Sequence, residues 1–149
     1  ALYMEQELGA DEMGQYFSPS SISRLMAGLL MPGAQETIKR EGWMTLDEPA
    51  CGSAGMVIAF AYWMAEAGYN PSQQLYATCT DIDPMVADIA FIQLALLGIP
   101  AKVVTGNTLT LKANRVRYTP VYYFNDWQGR LAFRSRLDAM KNFLATVAA

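Results

Sequence analysis

The sequence predicts an α/β fold in which helices cover a largely parallel β-sheet, and three observations carry this prediction. Segments typical of strands and of helices alternate between residues 43 and 111, with roughly 25 to 30 residues from one strand to the next, as βαβ units require. A turn of small residues at positions 51–55 follows the first strand. The 149 residues are 52% hydrophobic, so residues 1–149 are expected to bury one core and form a single domain.

Residues 1–42 are expected to form a helical N-terminal part. A short helix is predicted up to Glu12, and a loop at residues 14–21 leads into a helix whose apolar side chains share one face. Pro32 and Gly33 are expected to end that helix, and a second, more polar helix is predicted over residues 34–40. The predicted apolar face consists of Ile22, Leu25, Met26, Leu29 and Leu30.

Residues 43–111 are expected to form the βαβαβ core. The segments WMTLDEP, QLYATCTD and AKVVTG are predicted as its strands. The helix predicted over residues 56–67 is apolar almost all round and so is expected to be buried on more than one side, and Pro84 opens the next helix. Parallel strands end at the same edge of a sheet, which is expected to bring together the turn at residues 51–55, Asp81 and Asn107.

Residues 112–149 are expected to form a basic strand and helix. Seven basic and two acidic residues lie in this part, whereas the rest of the chain holds four basic and twelve acidic residues. Pro120, within RYTPVYYFNDW, favours an edge strand there. Apolar residues spaced by 4, 3, 4 and 3 predict an amphipathic helix: Phe133, Leu137, Met140, Leu144 and Val147.

The basic residues of this last helix have three interpretations. Arg130, Arg134, Arg136 and Lys141 are candidates for a DNA contact, because cationic side chains bind phosphates. The same residues could instead belong to a partner-binding surface or be a solvated helix face.

Composition excludes several classes of site and of location. Histidine is absent, and the two cysteines lie far apart in sequence, so a zinc site or a Cys-His nucleophile is not expected and no metal is predicted. Cys51 and Cys79 are predicted to be buried thiols. The longest apolar run, residues 56–65, is too short to span a bilayer and no signal peptide opens the sequence, so a cytoplasmic protein without a membrane partner is expected.

The turn at residues 51–55 allows a ligand to approach backbone N–H groups at the positive end of a helix, although glycine could also serve the bend alone. Asp81 ends the next strand, where a carboxylate can accept hydrogen bonds from both ribose hydroxyls of a nucleoside. Its alternative role is a helix N-cap, but Asp83 is the better candidate for that, which leaves Asp81 freer for a ligand. Asn107 could contact an adenine edge or be only a turn residue.

Four stretches in this order and spacing resemble the motifs of the adenine-N6 DNA methyltransferases of the type I restriction–modification kind. They are GQYFSP at residues 14–19, LDEPACGSAGM at 46–56, TDIDP at 80–84 and TGNTL at 105–109. The resemblance covers roughly residues 13–111, and its second motif is specific. It implies a Rossmann-like S-adenosylmethionine-dependent methyltransferase fold with a truncated sheet, and it implies S-adenosylmethionine as the cofactor.

The resemblance assigns roles to individual residues. Residues 14–19 would close over the methionine end of the cofactor, Glu48 and the turn would lie beneath it, Asp81 would hold the ribose, and Ile82 would lie against the adenine. Asn107 stands where the family usually has Asp, and Ala54 where it usually has Gly, so cofactor affinity is expected to be reduced rather than abolished. The candidate cofactor residues are Gln15, Tyr16, Phe17, Ser18, Pro19, Glu48, Pro49, Ala50, Cys51, Gly52, Ser53, Gly55, Asp81, Ile82 and Asn107.

The catalytic tetrapeptide of the family, Asn/Asp-Pro-Pro-Phe/Tyr, is missing from this sequence. Asn125 and Asp126 lie in about the right region and are the candidates for a degenerate catalytic site, with edge-strand packing as the alternative. Two functions therefore remain open. The chain is either a DNA adenine-N6 methyltransferase-like enzyme that works alone or with a partner, or a non-catalytic regulatory module that binds DNA, a restriction–modification subunit or a second copy of itself. The sequence could also be a piece of a longer enzyme.

Overall fold

The computed structural model describes residues 20–149, which form a four-stranded sheet with helices on both of its faces. The helices are α1 (Ser20–Glu41), α2 (Gly55–Glu66), α3 (Pro71–Gln74), α4 (Pro84–Leu96), α5 (Pro120–Phe124) and α6 (Trp127–Ala148). The strands are β1 (Met44–Glu48), β2 (Leu75–Asp81), β3 (Ala101–Asn107) and β4 (Lys112–Tyr118). The three core strands and the two long core helices confirm the βαβαβ pattern predicted from the sequence.

The strands lie in the order β1-β2-β3-β4. The pairs β1–β2 and β2–β3 are parallel, so all three strands end at one edge of the sheet, as predicted. We call this the carboxyl edge. The turn at residues 108–111 is too short for a crossover, and β4 therefore returns antiparallel along β3 as an edge strand. It ends at Tyr118 and does not include Pro120, which instead begins α5.

Helix α1 differs from its prediction in length. It runs unbroken from Ser20 to Glu41 with Pro32 inside it, so the expected end at Pro32 and Gly33 is wrong. Proline removes one helical hydrogen bond, here the bond to the carbonyl of Gly28. Because Pro32 is exposed, water can reach that carbonyl, and the packing of the buried side of α1 holds the helix together across the missing bond.

The buried face of α1 also differs from its prediction. Ala27, Met31, Ala34 and Ile38 are the apolar side chains of α1 that are buried, and α1 packs against α2. Alanines allow two helices to approach closely, whereas a second set of apolar residues lies farther around the helix and stays between 47% and 73% exposed. The exposed residues are the five that were expected to face the core: Ile22, Leu25, Met26, Leu29 and Leu30.

The sheet carries a different hydrophobic cluster on each face. One face packs against α1, α2 and α4, and Phe60 and Met64 of α2 are fully buried in that cluster. The other face carries an aromatic cluster formed by Trp43, Tyr76, Tyr122 and Trp127. Helix α2 is buried around most of its circumference, as predicted, apart from a side that includes Tyr62, which is 45% exposed.

Helix α6 confirms the predicted C-terminal helix but not the burial that its apolar spacing implies. Its first residue, Trp127, is fully buried in the aromatic cluster. Farther along, Phe133, Met140 and Val147 are between 55% and 67% exposed. None of the helices within residues 20–149 combines the length and hydropathy that a membrane span requires.

Replacing Gly106 by alanine is expected to destabilise the protein by about 1–3 kcal/mol. A Cβ atom at this position would lie against the carbonyl oxygen of Lys112 and 2.9 Å from the Cα of Ala113, where β3 and β4 are joined by an irregular register. The nearest atoms all belong to the backbone of β4, which cannot move aside as a flexible side chain could. Urea unfolding followed by circular dichroism measures the effect.

Gly33→Ala is the matched control for Gly106→Ala. Gly33 lies inside α1, and no atom lies within 4 Å of the Cβ that alanine would add. Because alanine favours a helix interior over glycine by about 0.5–1 kcal/mol, Gly33→Ala is expected to stabilise the protein. Equal effects of the two substitutions would contradict the close approach of β3 and β4 at Gly106.

Candidate functional site

Three loops meet at the carboxyl edge and are tied together by hydrogen bonds. The N–H of Gly52 donates to Asp81 Oδ2 at 3.0 Å, which joins the loop after β1 to the end of β2. The N–H of Cys51 donates to the carbonyl of Thr80 at 2.9 Å. Thr108 Oγ1, in the loop after β3, donates to the carbonyl of Pro49 at 2.6 Å. The structure therefore brings together the loops that the sequence analysis placed at this edge.

The bend at residues 51–55 requires left-handed backbone at two positions. Gly52 has φ 54°, and Ala54 has φ 70°. Alanine disfavours this region by about 1–2 kcal/mol, and Ala54 is nonetheless fully buried there. This conformation gives a physical reason for the glycine that the resemblance implies at the position of Ala54.

Helix α2 begins directly after this bend. Ala54 is its N-cap and supplies no side-chain hydrogen bond to the first turn. The backbone N–H groups of a first helical turn carry partial positive charge, so an anionic group placed here would be stabilised. Gln93 of α4 steadies the bend, because its Nε2 donates to the carbonyl of Ser53 at 2.7 Å.

Asp81 accepts hydrogen bonds from two loops at once. Its Oδ2 accepts from Gly52, and its Oδ1 accepts from the N–H of Asp83 at 3.0 Å. Asp83 caps α4 through Met85 and Val86, as predicted. Asp81 thus already has two protein donors, and each of its oxygens keeps one further lone pair for a ligand.

Glu48 is the acidic residue nearest the bend along the chain. It is half-buried at the end of β1, and desolvation raises the pKa of its carboxyl. A hydrogen bond from the backbone of Ala50 partly offsets that shift, and the charge of Asp47 adds to it. A cation placed beside Glu48 would favour its ionised form and lower the pKa again.

The two cysteines lie side by side beneath the bend. Both are free and buried, as predicted. A hydrogen bond with the thiol of Cys79, followed by desolvation, raises the pKa of Cys51 well above its ordinary value of 9.0. Cys51 therefore stays as a thiol, and the two buried side chains pack the floor of the site.

Asn107 takes part in a turn. Its Oδ1 accepts from the N–H of Leu109 at 2.9 Å and from the N–H of Thr110 at 3.2 Å. The amide oxygen that was expected to accept from an adenine amino group thus already has two protein donors. Ile82, expected against the adenine face, is 64% exposed beside Asp81 and has room for a flat ring.

The candidate catalytic residues lie at the opposite edge of the sheet. Asn125 Nδ2 donates to the carbonyl of Ser72, just before β2 begins. Asp126 is the N-cap of α6 and accepts from the N–H of Gly129. The length of β2, about 20 Å, separates this region from Asp81, so the position of the pair does not support a role in chemistry at the carboxyl edge.

The four basic residues of α6 fall into two pairs. Arg130 and Arg134 pack on aromatic rings, with guanidinium carbons 3.8 Å from the ring centre of Trp127 and 3.5 Å from that of Trp43. Arg134 also forms a salt bridge with Glu41 at 3.2 Å. The other two, Arg136 and Lys141, are exposed.

Sequence reasoning missed three residues at the carboxyl edge. Gln93 and Thr108 fix the bend, and Thr105 is a buried residue whose Oγ1 has no hydrogen-bond partner among residues 20–149. Gln93 carried a signal as the single polar residue in the apolar segment FIQLAL, and Thr105 and Thr108 lie within the stretch TGNTL at residues 105–109. The predicted residues Gln15, Tyr16, Phe17, Ser18 and Pro19 lie outside the described residues.

Comparisons with known proteins identify the family and support the fold. The family model described as N-6 DNA Methylase matches residues 3–123. Among solved structures, the chain is similar to a protein described as a class I S-adenosylmethionine-dependent methyltransferase from Listeria monocytogenes, with a TM-score of 0.50 and 19% sequence identity. The similarity covers 65% of this chain and 30% of that one, and it shows that the fold is Rossmann-like. No curated protein matches the chain.

Proposed function

The chain belongs to the N-6 DNA methylase family, and from this premise we propose that it binds S-adenosylmethionine at the carboxyl edge of β1, β2 and β3. The observation that supports the proposal is the hydrogen bond from Gly52 to Asp81, which ties the carboxylate proposed to bind ribose to the loop that leads into the uncapped N-terminus of α2. The ribose and the carboxylate of one ligand would thereby have neighbouring binding partners, Asp81 and the amino end of α2.

The residues present fit the chemical groups of this cofactor one by one. The remaining lone pairs of Asp81 suit the ribose hydroxyls, and exposed Ile82 suits the adenine face. The amino end of α2 suits the methionine carboxylate, while Glu48 suits the ammonium group. When bound, the cofactor supplies a methyl group activated by its sulfonium centre.

Within the site, the residues of this chain bind and orient rather than move protons. The hydrogen bonds from Gln93 to Ser53 and from Thr108 to Pro49 hold the loop in one conformation, which lowers the entropic cost of binding. Residues 14–19 are proposed to cover the methionine end. Thr105 lies opposite Asp81 in the β2–β3 register. Its hydroxyl, which has no hydrogen-bond partner among residues 20–149, offers one further polar group at this edge.

The proposed substrate is adenine in DNA, modified at N6, as in an intracellular restriction–modification system. Such chemistry needs an acceptor for the target amino group next to the cofactor. Asn125 and Asp126 do not meet this need from the opposite edge of the sheet. We therefore propose that cofactor binding belongs to this chain and that methyl transfer requires a further segment or partner.

A second candidate function is a non-catalytic, cofactor-binding regulatory module. The observation that favours it is the commitment of Asn107 Oδ1 to two backbone donors, which leaves that oxygen without the acceptor role expected for it. Transfer of radiolabelled methyl groups to unmethylated DNA separates the two functions. Label in the DNA supports the enzyme, and cofactor binding without label supports the module.

Isothermal titration calorimetry tests the cofactor proposal. We expect both S-adenosylmethionine and S-adenosylhomocysteine to bind at one site, because both carry the ribose, the carboxylate and the ammonium group. Adenosine alone is expected to bind more weakly, since it lacks the groups that the end of α2 and Glu48 recognise. A folded protein that releases no heat with either methionine-containing ligand would exclude the proposal.

Glu48→Gln is expected to weaken S-adenosylmethionine binding about tenfold or more at neutral pH, because it removes a charged partner of the ammonium group. In the wild type, affinity should fall as the pH is lowered through the raised pKa of Glu48, above the ordinary value of 4.5. The substituted protein should lack this dependence. Calorimetric titrations across this pH range measure both effects.

The pH dependence of stability that Glu48 causes should have the opposite sign to the pH dependence of affinity. The folded state holds this proton more tightly than the unfolded state, so the contribution of Glu48 to stability falls as the pH rises through the window above 4.5. Without ligand, Glu48→Gln is therefore expected to be slightly more stable than the wild type at neutral pH. Asp47→Asn, at an exposed neighbouring position, is the control and should leave affinity nearly unchanged.

A further inference from the structure

Helix α6 is attached to the rest of the protein only near its amino end. Trp127 is buried, Arg130 donates to the carbonyl of Gln73, and Arg134 is paired with Glu41. Every residue from 138 to 149 is exposed. Roughly the second half of this 22-residue helix is therefore without a packing partner among the described residues.

The exposed part of α6 carries a regular apolar stripe. Its members are spaced 4, 3, 4 and 3 residues apart, the heptad repeat that two supercoiled helices share. Four of them are 55% to 67% exposed, and a contiguous apolar surface of this kind marks an interaction site. We call it the α6 seam: Phe133, Leu137, Met140, Leu144 and Val147.

The α6 seam continues into a groove on the body of the protein. Phe133 and Leu137 line this groove, of about 440 Å³, together with Trp43 between α1 and β1. A helix lying along the seam would therefore contact α6 on one side and the body on the other. Because the rest of the lining is charged, this continuity favours a rod-shaped amphipathic occupant over a flat surface.

Basic residues flank the α6 seam on both sides. In the heptad, Arg134 and Lys141 occupy e positions, and Arg136 occupies a g position. The groove adds Arg40 and Arg130, which with Arg134 and Lys141 make four basic residues in its lining. Its two acidic residues are Glu41, which is paired with Arg40 and Arg134, and Asp138. The flanks thus present an excess of positive charge to whatever lies on the seam.

These charges discriminate among the possible occupants. A second copy of α6, parallel or antiparallel, would bring basic e and g residues against basic e and g residues, which is unfavourable. DNA would match the charges but would leave the apolar seam exposed to water. A helix with an apolar seam and acidic flanks satisfies both features.

We propose that the α6 seam is the docking surface for an amphipathic helix of a partner protein, flanked by Asp and Glu, that pairs with α6 as a coiled coil. The apolar seam supplies the affinity, and the charged flanks select the partner. The inference does not depend on cofactor binding, because the seam projects from the opposite edge of the sheet to Asp81.

Two synthetic helices test the proposal. Both match α6 in length and carry Leu at the a and d positions, and they differ only in having Glu or Lys at e and g. Each is labelled with fluorescein, and its anisotropy is followed as the full chain is added. We expect the Glu peptide to bind at least about tenfold more tightly, with an advantage that shrinks as salt is added.

Matched variants separate the seam from its charges. Met140→Asp combined with Leu144→Asp should abolish binding, whereas Ala139→Asp, exposed on the other side of the same helix, should change affinity far less. Arg136→Glu combined with Lys141→Glu should reverse the preference toward the Lys peptide. All substituted positions are exposed, and circular dichroism confirms that each variant is folded.

Three results would overturn the proposal. In the first, the chain binds the two peptides with equal affinity, which would show that the basic residues flanking the α6 seam do not select the partner. In the second, neither peptide binds, but duplex DNA does, and Arg136→Glu combined with Lys141→Glu abolishes the DNA binding. That result would assign the surface to DNA. In the third, sedimentation equilibrium shows that the wild type is a dimer and that Met140→Asp combined with Leu144→Asp makes it a monomer. That result would assign the seam to a second copy of the chain.

Discussion

Asp81→Asn is expected to reduce affinity for S-adenosylmethionine by about a hundredfold, or about 2.7 kcal/mol. The carboxylate is proposed to accept from two ribose hydroxyls while it holds Gly52 and Asp83 in place. The amide of Asn has one acceptor oxygen, and its NH₂ group would face a hydrogen-bond donor that a carboxylate oxygen of Asp81 now accepts from. Calorimetry on the folded variant measures the loss, and urea unfolding should show an accompanying stability loss of about 1–3 kcal/mol.

Asp83→Asn is the matched control for Asp81→Asn. It removes one negative charge two residues away, but Asn caps a helix about as well as Asp, so α4 should keep its N-terminus. Affinity for S-adenosylmethionine is expected to remain close to that of the wild type. If Asp81→Asn bound as tightly as Asp83→Asn, the proposed ribose contact would be wrong.

Trp127→Ala is expected to cost about 3–5 kcal/mol of unfolding free energy, the largest stability effect we predict. The indole is fully buried, stacks on Tyr76 with ring centres 5.7 Å apart, and meets Trp43 edge-on at 5.1 Å. Its Nε1 also donates to the carbonyl of Ser72 at 3.1 Å. Chemical unfolding monitored by circular dichroism measures the cost.

Phe133→Ala on the same helix provides the comparison. Phe133 is 63% exposed, so its removal should change stability by less than about 1 kcal/mol. Trp127→Phe should fall between the two, because it keeps the ring packing and loses the hydrogen bond to Ser72. A Trp127→Ala variant no less stable than Phe133→Ala would mean that the aromatic cluster does not anchor α6.

The parts of the fold that sequence patterns predicted are those with local causes. Strands β1 to β3, helices α2 and α4 and the cap at Asp83 follow from hydrophobic periodicity and from Pro and Gly at element ends. The meeting of Asp81 with the loop after β1 then follows from parallel topology alone. These features required no knowledge of side-chain packing.

The errors fall where tertiary packing decides. Helix α1 offers two apolar stripes, and close contact with α2 selected the one with small residues such as Ala27. Pro32 is tolerated because packing on the other side of the helix holds it together. The carboxyl edge shows the same limit, because the partners of Gln93 and of Thr108 are 40 and 59 residues away.

The sheet has an open border at β1, the strand that leads into the bend beside Glu48. Strand β1 pairs only with β2, so the outward-facing main-chain groups of β1 have no strand partner among residues 20–149. An incoming strand running parallel to β1 could complete those hydrogen bonds, as in β-augmentation. Its final residues would then arrive next to Glu48, so main-chain pairing alone could deliver reactive side chains that residues 20–149 do not place there.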